Sequence, residues 1–221
     1  MKRVRPAVAS LLAIALCGVG ALAQGPVATK HTDPPPPELA DPIEALLAPG
    51  GPRVTVGQKT IDFWFVKSLP LRSGTSDASW SSVDEGTLVG AVRLSAAHTE
   101  IRGKTLKAGL YTLRFALQPQ DGAHLGASPN REFLLLGPSD EDNSVGALGH
   151  DAAVGLSKKA IGTSHPASWS IDPPQASGAA GAIVKNDIGL TSVVVEVPVS
   201  RDGKDAGTIK FGIVVQGTIQ P

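Results

Sequence analysis

Apolar and polar residues alternate along most of the chain beyond residue 42. Tyr111, Leu113, Phe115 and Leu117 fall on one face of a strand, and Thr112, Arg114 and Gln118 on the other. The same period of two runs through Val193, Val195, Val197 and Val199, and again through Ile209, Phe211, Ile213 and Val215. Arg201-Asp202-Gly203-Lys204 separates these last two runs, and the Asp-Gly pair tolerates positive φ, so a C-terminal hairpin is predicted. Further strands are predicted over 53–56, 60–67, 87–94, 98–102, 132–136 and 168–171. One stretch breaks the rhythm: residues 150–161 place Val154, Ile161 and several alanines at helical spacing and end at Gly162, which predicts one short helix. Residues 173–181 read as a surface loop.

Eight or more short strands divided by turn residues predict an all-β fold. The expected form is an antiparallel two-sheet sandwich, jelly-roll-like or immunoglobulin-like, with one short helix near 150–161. No internal repeat and no second boundary follows residue 42, so 42–221 reads as a single domain, long enough for one sizeable core.

Upstream of it the pattern changes twice. Residues 1–23 read as a signal peptide: Lys2, Arg3 and Arg5, an apolar run from Ala7 to Leu16, then Ala21-Leu22-Ala23 with small residues where signal peptidase cuts. The mature chain would start at Gln24. The apolar stretch is slightly short for a spanning helix and is dominated by small residues, so cleavage is favoured over a retained anchor and no membrane span is expected afterwards. Cys17 follows Leu16, where lipidation signals place a small residue, which argues against a lipoprotein. Residues 24–41 carry Pro34-Pro35-Pro36-Pro37 and little to bury; a disordered, solvated tether is expected.

Removing residues 1–23 leaves 17 basic residues against 20 acidic ones, a net charge of −3, which argues against a nucleic-acid partner. It also removes the only cysteine, so burial alone must hold an exported chain of periplasmic or extracellular destination together.

The chain has no His-Glu-x-x-His, no phosphate loop ending in Gly-Lys-Ser/Thr, no Gly-x-Ser-x-Gly elbow and no mature cysteine nucleophile. These absences argue against an enzyme, and the sequence requires no cofactor. Loops at the ends of a sandwich remain natural binding places. In the polar run 118–132, Asp121 with Gly122 suits a turn, His124 could take a ligand or metal, and Arg131 could pair with an anion. Trp80, in the Ser-rich segment 73–82, is the ring expected at the surface as a contact. The alternative is a metal-binding protein or metal-dependent hydrolase: His98 and Glu100, two apart on a strand, would share a face, with His124 as a third ligand. Asp140-Glu141-Asp142-Asn143 lacks the spacing of a calcium loop and reads as a solvated acidic turn.

The run Gly103-Lys104-Thr105-Leu106-Lys107-Ala108-Gly109-Leu110-Tyr111-Thr112-Leu113 resembles the G-x-x-L-x-A-G-x-Y-T-L run of the DUF2911 family of exported bacterial β-sandwich proteins. The resemblance implies an exported sandwich and no activity. The expectation is therefore a non-catalytic module of the bacterial cell envelope that binds a small ligand or an envelope protein.

Overall fold

A computed structural model describes residues 25–120, 130–172 and 178–219. The strands are β1 (Val27–His31), β2 (Gly51–Val56), β3 (Lys59–Phe65), β4 (Leu69–Leu71), β5 (Leu88–Leu94), β6 (His98–Thr99), β7 (Thr105–Leu106), β8 (Gly109–Leu117), β9 (Glu132–Pro138), β10 (Ser168–Asp172), β11 (Ile183–Lys185), β12 (Thr191–Arg201) and β13 (Lys204–Gln216). The helices are a single turn, α1 (Asp41–Glu44), and α2 (His150–Ile161). The fold is mostly β, and α2 lies where the helical spacing placed it. Gly162, at φ 64°, ends it in the left-handed region and donates its N–H to the Lys158 carbonyl.

The main sheet runs β1-β2-β3-β5-β8-β9-β10-β13-β12-β11, with β4 alongside β12. Two packed sheets were expected; the main sheet is instead a single curled one, a half-barrel, and β6 pairs with β7 apart from it. β10 is the physical reason. Its Ser168, Trp169 and Ser170 pair with β9 while Ile171 and Asp172 pair with β13, so one strand serves both arms and the ladder never breaks. Such a strand is how twisted sheets turn a corner. The arms meet across one core: Phe63 lies edge-on to Trp169 at 5.6 Å, and Phe65 to Phe211 at 6.3 Å. The alternating valines of β12 and the apolar positions 209, 211, 213 and 215 of β13 all enter this core. The turn between them is as expected, with Asp202 at φ 51° and Gly203 at φ 73° between the paired Arg201 and Lys204.

β8 was expected to wet one face, yet Thr112, Arg114 and Ala116 are all buried. α2 packs over β8 and β9, where Ala116, Leu135 and Ala153 form a second apolar cluster. Gly137 permits this contact, because a Cβ there would sit 2.6 Å from Thr112 Oγ1 and 2.9 Å from a Leu156 methyl. Arg114 reaches the segment before α2. Its Nε and Nη2 donate to the two oxygens of Asp142 at 2.7 and 2.6 Å, and further donors reach the carbonyls of Gly86, Ser144 and Gly146. Thr112 Oγ1 adds a 2.5 Å bond to Asp142. The acidic turn is thus corrected at Asp142, which is buried as a counter-ion; its neighbour Glu141 stays outside, paired with Lys159.

The tether is corrected as well. Residues 27–31 form β1, paired along its whole length with β2, and Pro36 and Leu39 are buried behind it. The folded unit therefore begins before residue 42. The strand expected over 98–102 is cut to two residues, since the chain turns back at Gly103, whose N–H bonds to the Glu100 carbonyl.

Both side chains of the Arg114–Asp142 pair are 1% exposed. Removing one partner strands a buried charge, so Asp142→Ala is expected to cost about 3–5 kcal/mol. Urea unfolding followed by far-UV circular dichroism checks this, and Arg114→Leu combined with Asp142→Leu should recover part of the loss.

Candidate functional site

Of the expected contacts, the structure places Arg131 and Trp80. Asp121 and His124 lie outside the described residues. Arg131 is exposed at the foot of β9, its carbonyl accepting the Gln118 N–H at 2.8 Å. Trp80 is corrected: it is 5% exposed in a 3-10 turn, stacked on Phe115 at 4.8 Å and edge-on to Phe211 at 5.0 Å. An aromatic flanked by serines reads as surface in sequence, but the turn inserts it between the arms.

His98 and Glu100 line one small pocket beside Trp169, but each is held by other partners. The His98 ring stacks on Trp169, with centroids 4.6 Å apart. Glu100 is buried, accepting Arg102 Nε at 3.1 Å and the Lys104 N–H at 2.9 Å. Its carboxylate is therefore already engaged. Among the described residues no group of three or more His, Cys, Asp or Glu side chains is placed to hold a metal ion.

A broad concavity lies elsewhere, where the half-barrel stays open. A cleft of about 560 Å³ separates β1, the 48–52 segment and the end of β3 from the middle of β12. Phe65, Val66, Val194, Val195 and Pro198 make it largely apolar, with Lys30, Lys67 and Glu196 contributing charge. Lys67 Nζ donates to the Ala45 carbonyl at 2.8 Å, and Glu196 pairs with Lys210 at 3.7 Å. Lys30 is exposed and has no ion pair among the described residues.

Local chemistry explains how β1 comes to form this wall. Continued one residue past Arg53 and Asp62, the β2–β3 register brings Pro52, which has no N–H to give, opposite Phe63. His31 supplies the missing donor: its Nε2 bonds to the Phe63 carbonyl at 3.1 Å. Gly51 allows the approach, since a Cβ there would lie 2.0 Å from that oxygen. Trp64 packs edge-on against the imidazole at 4.8 Å and donates Nε1 to the Asp33 carbonyl at 3.1 Å. Arg53 then ties the layers together, bonding Asp62 through Nε at 2.6 Å and Asp33 through Nη2 at 2.9 Å. Nothing in the period-two pattern marks this cluster; the signal available was Gly51-Pro52, a glycine and a donorless residue opening a strand.

No protein-family model, no curated protein and no solved structure matches the chain. The cleft must be read from its own chemistry.

The structure also gives His98 a titration behaviour. Burial, reinforced by the charge of Lys59 and opposed by Glu100, lowers its pKa from 6.5 to about 4. The folded state favours the neutral ring, so this group's contribution to stability is whole above pH 6.5 and is lost as pH falls toward 4. Imidazole proton shifts followed by NMR should place the midpoint near pH 4, and His98→Gln should flatten the fall in stability across that window.

Proposed function

We propose that this chain is an exported, non-catalytic binding module of the bacterial cell envelope, with its ligand or partner held in the cleft between β1 and β12. The observation that carries the reading is the cleft itself. Its volume of about 560 Å³ lies inside the rough range of 300–1,000 Å³ typical of ligand pockets, and its mostly apolar walls with a few charged groups match their usual make-up. Export is supported by the charged start, apolar run and Ala21-Leu22-Ala23 of the first residues, and by the run 103–113 that resembles exported DUF2911 proteins. In the fold this run forms β7 and the first half of β8.

Native mass spectrometry of the full chain, produced with its own N-terminal segment and recovered from the envelope, tests both halves. The expected result is a chain starting at Gln24 that carries a non-covalent adduct. Ala180→Trp, exposed at the mouth of the cleft, should lose that adduct without losing the circular dichroism of the wild type. A chain that retains Met1 would remove the export reading. An adduct indifferent to Ala180→Trp would remove the cleft.

A further inference from the structure

The cleft is bounded by two strand edges. Thr60 exchanges hydrogen bonds with Ser95, its N–H going to Oγ and its carbonyl accepting the Ser95 N–H, so its backbone faces β5. Alternation then turns Ile61 toward β2, where it opposes Val54. Arg53 and Thr55 in turn face β1, opposite Thr29 and Val27. Ala28 and Lys30 are left with backbone N–H and C=O groups directed away from β2, and both residues line the cleft.

The facing wall is open in the same way. Val194 accepts the Gly181 N–H at 2.8 Å and donates to the Ala182 carbonyl at 2.9 Å, and pairing on this side of β12 resumes only with β4 at Val199. Between them Glu196, two residues on from Val194, turns its N–H and C=O to the cleft, where no backbone group of the described residues meets them. Eight antiparallel pairings separate β1 from β12 along the sheet, an even number, so the two edges run in the same sense. One inserted strand of opposite sense would be antiparallel to both.

From this the geometry points to an extended peptide as the occupant, added as a strand between β1 and β12 and carrying both apolar and acidic side chains. This rests on the cleft reading above and names its ligand class. Main-chain bonds to a sheet edge supply affinity in such complexes and side-chain pockets supply selectivity. The apolar walls accept one face of the peptide. Lys30 and Lys67, which also line the cleft, favour carboxylates on the peptide, while Glu196 is neutralised in part by Lys210. The open stretch suits about four residues, roughly 13 Å of strand.

The probe is a pool of capped synthetic octapeptides with random apolar residues at alternate positions and Asp or Glu between them, titrated into the full chain by NMR. The expected result is saturable binding with slowed amide exchange at Ala28, Lys30 and Glu196. The same pool N-methylated at alternate residues keeps the side chains but cannot complete the ladder, and should bind at least tenfold more weakly. Lys30→Pro removes an N–H that the β1–β2 ladder does not use and should cause a similar loss; Lys30→Glu, which leaves the backbone intact, should weaken binding of the acidic pool severalfold. Equal binding of methylated and unmethylated pools would overturn strand addition. Dodecanoate binding at the cleft while the pool does not would overturn the peptide and leave the binding module standing. Failure of both probes, with the native adduct also absent, would remove the two readings together.

Discussion

A guanidinium in the middle of a central strand sets much of what surrounds it. Arg114 lies on the face of β8 that the 139–149 segment and α2 cover, and a buried cation without partners would cost more than a fold of this size has to spare. Five donors must therefore be met locally. Asp142 takes two of them, and the carbonyls of Gly86, Ser144 and Gly146 take others. That requirement draws the 139–149 segment over the strand and delivers the chain to the start of α2. The helix then covers β8 and β9 with its apolar side, completing a layer that an alternating strand pattern would have left to solvent.

On the other side of the sheet the constraint is edges. A curled sheet that stops short of closure keeps two, and exposed edges invite association. Here they are blunted unequally. β4 and β11 cover the two ends of β12, and Pro198 removes a donor from between them. β1 is kept short and polar, with only His31 of its five residues buried. What remains uncovered is the small stretch where both edges face one apolar cleft.

Much of the strand content was legible because burial on one face imposes a period of two, and the β12–β13 hairpin carried that signal through Val193 to Val215 together with its Asp-Gly turn. α2 was legible for the same kind of reason. The failures also have physical causes. Arg114 and Asp142 are polar residues whose burial depends on each other across 28 positions, which no local pattern encodes. Trp80 is placed by stacking on Phe115, a tertiary contact. β1 was missed because an edge strand with one buried residue has no hydrophobic alternation to show, and the four prolines after it outweighed the rest. The cleft was invisible for a related reason: it is made of backbone groups and of walls from distant segments, while the sequence draws attention to reactive side chains.

The bond from His31 to Phe63 has one more consequence. β1 has a single neighbour in the sheet and is held to the body by this bond and by the Asp33 contacts of Trp64 and Arg53. An edge strand with a single buried side chain is the kind of unit that native-state fluctuations open first. One wall of the cleft therefore depends on how firmly β1 is held to β2. An occupant that pairs with both β1 and β12 adds its binding free energy to the attachment of β1 and, by the same linkage, to the stability of the whole fold.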